Sequence, residues 1–255
     1  MTAFKEVPVA NDDIPIRLIG SEWVAQKTLA ASFELSDPRY TFEPGQAAVL
    51  SLSEKGKPGE SRTLSLSSAP FELPSVTFAT RTASGSSFKE ALAKARPGDE
   101  FFLSLPFGEF LLPRGEEAGY PVVCLAGGIG VTPFRSMIRE RLQKKTAGEI
   151  TPPLTLVTIN RSPEETPFYE ECRSWNGVGG VGWIPVETRS PKAGGASRED
   201  LVRRAMEEVF RTRGREVRIY LAGPPAMVDS LSETLTAAFG FPRERLIVDL
   251  FFGYV

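Results

Sequence analysis

The sequence predicts two domains: an antiparallel β-barrel or sandwich, followed by an α/β domain with a doubly wound parallel sheet. Up to about residue 112, short apolar or alternating runs are broken by Pro-Gly turns, a pattern typical of antiparallel β structure. After the charged segment 113–117, apolar runs alternate with helical stretches, which indicates parallel strands joined by helices. We therefore expect one domain over residues 1–114 and another over 115–255.

The individual elements follow from these runs. In the first domain we expect strands at 48–51, 62–67, 75–82 and 100–105, and one helix at 87–94. In the second domain we expect strands at 121–126, 154–159, 181–186, 217–222 and 245–251, separated by helices near 133–145, 164–175, 198–212 and 225–239. A chain of 255 residues is long enough for each domain to bury its own core.

Composition excludes several classes of function. The 30 Lys and Arg residues nearly balance the 32 Asp and Glu residues, so no general electrostatic field attracts nucleic acid. No apolar stretch is long enough to span a membrane, and the N-terminus does not resemble a signal peptide, so we expect a cytoplasmic protein. Histidine is absent and there are two cysteines, Cys124 and Cys172, so no metal site is predicted.

A glycine loop follows the first predicted parallel strand. Thr132 is expected to cap the next helix and Pro133 to be its first residue. Glycine has no Cβ atom, so a pyrophosphate can approach the backbone N–H groups of a helix N-terminus closely. Pro133 stands where the dinucleotide-binding fingerprint has its third glycine, so a simple tight turn remains the alternative. The glycines of this loop are Gly127, Gly128 and Gly130.

A second loop, with Gly223 and Pro224, follows the fourth parallel strand. Ligands of open α/β sheets bind beyond the carboxyl ends of the strands, so both loops are expected on one rim. Together they indicate a nucleotide site.

The first domain contains a second candidate site. Arg62 begins a strand that carries several serines, and a guanidinium group suits phosphate while hydroxyl groups suit a flat heterocycle. Gly85, Ser86 and Ser87 precede the predicted helix, whose N–H groups suit another phosphate. These features indicate a phosphate-bearing cofactor on this domain, with a solvated strand face as the alternative.

Four ordered motifs give the chain a resemblance to the ferredoxin-NADP reductase family over essentially its whole length. The flavin motif R-x-Y-[ST]-x-x-S matches at Arg62, Ser65 and Ser68, and the G-x-x-S region resembles 85–87. The loop G-G-x-G-x-T-P matches 127–133, and C-G-P-P is similar to 222–225. The resemblance implies an antiparallel β-barrel that binds FAD, followed by an NAD(P)-binding α/β domain.

The resemblance also implies roles for single residues. Arg62 would hold the FAD phosphates, with Thr63 and Leu64 beside it on the flavin strand. Ser65 would lie near flavin N5 as a catalytic residue, and Ser86 and Ser87 would complete the pyrophosphate site. The remaining implied contacts are Gly85 with the flavin pyrophosphate, and Gly127, Gly128, Gly130, Thr132, Gly223 and Pro224 with the nicotinamide dinucleotide.

The C-terminal tail resembles the aromatic tails that cover the flavin ring in some members of the family. Phe252 and Tyr254 would then bind the cofactor, and Tyr254 would be catalytic. The alternative is a last strand that fills the core.

Two positions depart from the family pattern. Leu64 replaces the aromatic residue that packs on the flavin ring, and Ala222 replaces the cysteine beside the nicotinamide. Cofactor preference is open. Asn160 and Arg161 follow the second parallel strand, where the adenosine ribose is expected, and Arg161 suits the 2'-phosphate of NADPH. Glu164 and Glu165 suit the ribose of NADH or, alternatively, the first turn of a helix.

The implied activity is hydride transfer from NADH or NADPH to FAD, followed by electron transfer to a separate protein: a ferredoxin, an oxygenase component or a cytochrome. The sequence contains no C-x4-C-x2-C cluster motif, so an iron-sulfur acceptor would be another polypeptide. Two alternatives are a flavin-binding relay or sensor that does not oxidise NAD(P)H, and a reductase of free flavin. The oligomeric state is left open.

Overall fold

A computed structural model describes residues 13–82 and 85–252 of the chain. The first half is an antiparallel barrel whose strand order is β4-β3-β6-β1-β2-β5. A bridge between Leu66 and Phe78 joins the end of β4 to β5 and closes the barrel. The strands are β1 Ile14–Ala25, β2 Thr28–Leu35, β3 Ala47–Glu54, β4 Lys57–Ser65, β5 Ser75–Arg81 and β6 Glu100–Leu103, and helix α1 spans Ser87–Lys94.

Aromatic side chains fill the barrel. The ring of Phe33 packs edge-on against Phe101 at 5.0 Å and against Phe78 at 6.2 Å between ring centroids. Phe88 and Leu92 of α1 belong to the same core, so the helix is held by burial of its apolar face.

The second half is a five-stranded parallel sheet in the order β11-β10-β7-β8-β9. Alternate residues of β7 face opposite sides: Cys124 packs with α2 and α3, whereas Leu125 packs with α4 and α5. Helices therefore cover both faces, and the predicted fold class is confirmed. The elements are β7 Val122–Gly127, α2 Val131–Thr146, β8 Leu154–Asn160, α3 Tyr169–Trp175, β9 Val181–Glu187, α4 Arg198–Arg213, β10 Arg218–Gly223, α5 Pro225–Phe239 and β11 Leu246–Leu250.

Two local predictions are wrong. The helix expected near 164–175 begins only at Tyr169, because Pro167 disfavours a helical conformation at Thr166, which is extended. Thr132 is not a cap: a 3-10 turn at Gly128–Gly130 leads directly into α2, so the helix starts at Val131. The Thr132 hydroxyl instead donates to the carbonyl of Ile129 at 3.0 Å.

The segment between the two sheets runs from β6 to β7 and contacts both. Phe107 pairs with Ala47 of the barrel, and the carbonyl of Leu111 accepts a hydrogen bond from the Tyr220 hydroxyl at 2.8 Å. A division between residues 114 and 115 remains our proposal. Across the described ranges, none of the helices combines the length and apolarity that crossing a bilayer requires.

Candidate functional site

The predicted phosphate residues of the barrel come together at the start of α1. Arg62 lies in β4, and its Nη2 donates to the Ser86 hydroxyl at 2.8 Å. The Arg62 guanidinium also lies 5.5 Å from the centre of the Phe88 ring. Because α1 begins at Ser87, its first N–H groups lie beside this cation. The cluster therefore offers the charge and the N–H donors that a diphosphate requires.

Glu60 is the residue of this cluster that sequence reasoning missed. Its carboxylate accepts hydrogen bonds from the Ser87 hydroxyl at 2.6 Å and from Arg62 Nη2 at 2.9 Å. These bonds, together with one from the Phe88 backbone, lower the pKa of Glu60, so the group is ionised at neutral pH. An acidic residue on an edge strand looks like an ordinary solvated side chain in the sequence, and no motif marks it.

The predicted flavin-binding residues that follow Arg62, at the end of β4 and just after it, differ in exposure. Thr63 is exposed, whereas Leu64 is 4% exposed and packs in the barrel core. Ser65 is 8% exposed, and Ser68 is fully buried with its hydroxyl accepting from the Thr77 N–H at 2.9 Å. Ser68 therefore joins the closing strands of the barrel in this structure. Its role toward a flavin, like those of Leu64 and Ser65, remains a prediction.

Gly85 has a φ of +62°, and a Cβ built there would have no atom within 4 Å. Its position before α1 leaves open space in front of the helix. A methyl group at this position would meet conformational strain rather than a clash.

The two glycine loops lie on one rim, as predicted, and contact each other through their backbones. Strands β7 and β10 are adjacent and parallel, with Ala126 opposite Ala222. A Cβ at Gly130 would lie 2.1 Å from the Ala222 carbonyl oxygen, and one at Gly223 would lie 3.1 Å from the Gly127 oxygen. Glycine at these positions is thus required for packing between the loops.

Gly128 has a different environment. Its φ is +55°, and a Cβ there would have no atom within 4 Å. A Cβ at Gly127, by contrast, would lie 2.4 Å from Met227 Cε. Gly128 is therefore the member of the predicted loop whose backbone faces open space, while Thr132 is 1% exposed and its hydroxyl is used within the turn.

A cavity of about 230 Å³ opens beside this loop. Asn160 lines this cavity, and its side-chain Nδ2 is buried without a hydrogen-bond partner among the described residues, so it is a donor whose partner is unaccounted for. The surroundings are basic, with three arginines and one carboxylate, Glu165. The lining comprises Arg81, Gly127, Gly128, Ile129, Ile159, Asn160, Arg161, Glu165, Thr188, Arg198, Pro224 and Met227.

Six of these lining residues were not predicted, and three of them are polar or charged: Arg81, Thr188 and Arg198. Arg198 begins α4 and follows the third parallel strand, so the shared-rim rule could have identified it. Arg81 comes from β5 of the barrel, and no local pattern indicates that it reaches the other half of the chain. A larger cavity, of about 660 Å³, lies beside Tyr40 and Leu105 and contains none of the predicted site residues.

Four charged side chains join α2 to the barrel, and we call them the bridging network. Arg135 donates from Nη1 to the Ser67 carbonyl at 2.7 Å and from Nε to Glu171 at 2.6 Å. Arg139 contacts the other oxygen of Glu171 at 2.5 Å and holds Glu72 with two bonds of 2.9 and 3.0 Å. The helix that starts at the glycine loop is thus bonded to the strand segment that follows Ser65.

The tail starts beside the second loop. The Phe251 N–H donates to the Gly223 carbonyl at 2.9 Å, and Phe252 is 53% exposed. Tyr254 lies outside the described residues, so its predicted catalytic role stays a prediction. Within residues 13–82 and 85–252, no group of three or more His, Cys, Asp or Glu side chains is placed to hold a metal ion.

Asp249 lies on β11 opposite Ala222, and burial raises its pKa to about 6. An unfolded carboxyl group titrates near pH 4, so the folded chain takes up this proton earlier as pH falls. Above pH 6 the charged group destabilises the fold, and this penalty is lost as pH falls from 6 to 4. We expect Asp249→Asn to stabilise the protein by about 2 kcal/mol at pH 8 and progressively less toward pH 5.

Urea unfolding at several pH values measures this difference. Asp229→Asn is the control, because Asp229 is 62% exposed and its ion pair with Arg243 contributes little. A stability gain for Asp249→Asn that is the same at pH 8 and pH 5 would contradict the assignment.

Known proteins resemble the chain in both halves. Residues 124–233 match the family described as the oxidoreductase NAD-binding domain. Over 113 residues the chain is 31% identical to reductase component 2 of terephthalate 1,2-dioxygenase from a Comamonas species, covering 44% of this chain and 32% of that protein. The reductase component of propane 2-monooxygenase from Mycolicibacterium goodii is 28% identical over 229 residues, which are 84% of this chain and 60% of that one.

The chain thus spans about a third to three fifths of the length of these relatives. Among solved structures, a ferredoxin NADP+ reductase from Neisseria gonorrhoeae with bound FAD and NADP superposes with a TM-score of 0.74 at 20% identity. This superposition covers 94% of this chain and 99% of that one. Residues 124–233 therefore match the oxidoreductase NAD-binding domain family, and the chain shares its two-domain fold with this ferredoxin NADP+ reductase.

Proposed function

We propose that the protein is an FAD-dependent oxidoreductase that takes a hydride from NADH or NADPH and passes electrons to a separate redox protein. The observation that carries this proposal is the bond from Arg135 on α2 to the Ser67 carbonyl. It fixes the helix of the glycine loop against the segment that follows Ser65, so a nucleotide and a flavin bound at these sites would be neighbours.

The residues of the first site fit FAD. Arg62 supplies a cation, Ser86 a hydroxyl group and α1 its N-terminal N–H groups, which are the donors a pyrophosphate needs. FAD, when bound there, supplies a centre that accepts a hydride and releases electrons one at a time. Thr63, Leu64, Ser65, Ser68, Gly85, Ser87 and the tail with Phe252 and Tyr254 are the further residues proposed to form this site.

The residues of the second site fit a nicotinamide dinucleotide. Gly128 offers open backbone, Asn160 an unused donor, and Arg161 and Arg198 positive charge. Gly127, Gly130 and Gly223 keep this backbone in position by allowing the two loops to touch. Thr132 and Pro224 complete the proposed set.

The partner is proposed from chemistry and from the relatives. Both curated relatives are named as reductase components of oxygenases. The two cysteines, Cys124 and Cys172, are buried in the α/β core, so an iron-sulfur cluster would lie outside this sequence. An oxygenase component, a ferredoxin or a cytochrome fits this requirement. A cytoplasmic location remains a prediction of the sequence.

Anaerobic mixing tests the proposal. Purified protein loaded with FAD is mixed with NADH or NADPH, and the visible absorbance of the flavin is followed. Bleaching with at least one nucleotide is the expected result. If FAD binds and neither nucleotide bleaches it, the protein is a flavin relay or sensor. The burial of Ala222, at 2% exposure, favours that second candidate, because its side chain is not free to contact a nicotinamide ring.

Arg161→Ala tests the nucleotide preference. Arg161 is exposed at the mouth of the cavity, so it can pair with a 2'-phosphate. We expect the KM for NADPH to rise about tenfold, the effect of losing one charge-assisted hydrogen bond, with the KM for NADH unchanged. Arg173→Ala, on the exposed side of α3, is the control. An equal rise for both nucleotides would place Arg161 at the shared part of the ligand instead.

A further inference from the structure

Glu60 places a negative charge where the proposed FAD site needs positive donors. Its two carboxylate oxygens accept from Ser87 at 2.6 Å and from Arg62 at 2.9 Å, and the side chain is 33% exposed. Arg62 and Ser87 are the side chains proposed to contact the pyrophosphate. The carboxylate and a phosphate would therefore compete for the same donors.

The geometry indicates that this competition weakens the binding of a phosphate. A phosphate that binds Arg62 and Ser87 must displace the Glu60 carboxylate or share the donors with it. If the donors are shared, two anions lie within a few ångströms of each other and their repulsion opposes binding. If the carboxylate is displaced, its hydrogen bonds to Arg62 and Ser87 are lost, which also opposes binding. Arg62 also keeps a bond to Ser86 at 2.8 Å and one to the Ser61 carbonyl, so its position does not depend on Glu60 alone.

We propose that Glu60 weakens FAD binding by competing with the pyrophosphate for Arg62 and Ser87. This inference rests on the proposed FAD site. Glu60 would thus lower flavin affinity, a role distinct from that of a residue that contacts the cofactor.

Titration of flavin-free protein with FAD, followed by flavin fluorescence, tests the inference. Glu60→Gln retains the shape and most hydrogen bonds but removes the charge, and we expect FAD to bind roughly three- to tenfold more tightly. Glu60→Ala is a second variant with the same expected direction. Glu90→Gln, on an exposed position of the first turn of α1, is the matched control and is expected to change affinity less than twofold.

Riboflavin separates the phosphate effect from a general one, because it carries the flavin ring without any phosphate. Its affinity is expected to be the same in wild type and Glu60→Gln. If both Glu60 variants bind FAD no more tightly than wild type does, or if Glu60→Gln gains as much affinity for riboflavin as for FAD, the proposed role of Glu60 is overturned. The proposed FAD site would not be affected by either result. Absence of FAD binding by the wild type and both variants would overturn the proposed FAD site as well.

Discussion

Gly130→Ala is expected to destabilise the protein by at least about 2 kcal/mol, the cost typical of overpacking. The backbone conformation at Gly130 is helical and suits alanine, so strain in φ contributes nothing. The added Cβ would instead lie 2.1 Å from the oxygen and 2.5 Å from the carbonyl carbon of Ala222. Backbone atoms cannot rotate away as a flexible side chain can, so the two loops must separate. Urea unfolding measures the loss, and NAD(P)H binding is expected to fall with it.

Gly128→Ala is the matched control for this clash. It lies two residues earlier in the same loop, has a φ of +55° and no atom within 4 Å of an added Cβ. We expect a stability loss of about 1 kcal/mol from the left-handed conformation alone. Its NAD(P)H affinity should nevertheless fall, because the methyl group would occupy the open space in front of the backbone. Equal destabilisation by the two substitutions would refute the contact between the loops.

Glu171→Gln is expected to have the second-largest effect, because Glu171 joins both arginines of the bridging network. Arg135 and Arg139 each donate to one of its oxygens, and these side chains are between 12% and 28% exposed. Loss of the charge leaves two partly buried arginines close together, and we expect a stability loss of about 1 to 3 kcal/mol. Thermal unfolding should then begin several degrees lower.

The same substitution tests whether the bridging network positions the two sites. If it does, the rate of flavin reduction at saturating nucleotide should fall about tenfold, while the affinities for FAD and for the nucleotide stay within twofold. Glu170→Gln is the control, since Glu170 is the preceding residue of α3 and is 77% exposed in its pair with Arg173. A loss of stability with an unchanged reduction rate would make the network purely structural.

The sequence predicted the parallel sheet well, because each of its strands is a mostly apolar run between turn residues. It missed β1 and β2 of the barrel. Strand β1 contains two register shifts, between Leu18 and Gly20 and between Trp23 and Ala25, and these interrupt the alternation that identifies a strand. These two strands were missed because the alternation of apolar and polar residues is interrupted in this part of the barrel.

At the candidate site, position was easier to predict than role. The glycine loop was correctly placed between strand and helix, but a missing Cβ looks the same in the sequence whether it admits a ligand, as at Gly128, or a neighbouring loop, as at Gly130. Arg81 and Glu60 could not be found for a related reason. Their importance depends on which distant segment they meet, and this is fixed by the packing of the two halves.

The contact between the two glycine loops has a mechanical consequence. Since Gly130 touches Ala222, and Gly223 holds Phe251 through its carbonyl, the chain is connected from the start of α2 to the first residues of the tail. A displacement of the first loop would therefore act on Phe251 through four backbone positions, Gly130, Ala222, Gly223 and Phe251, without the help of any side chain.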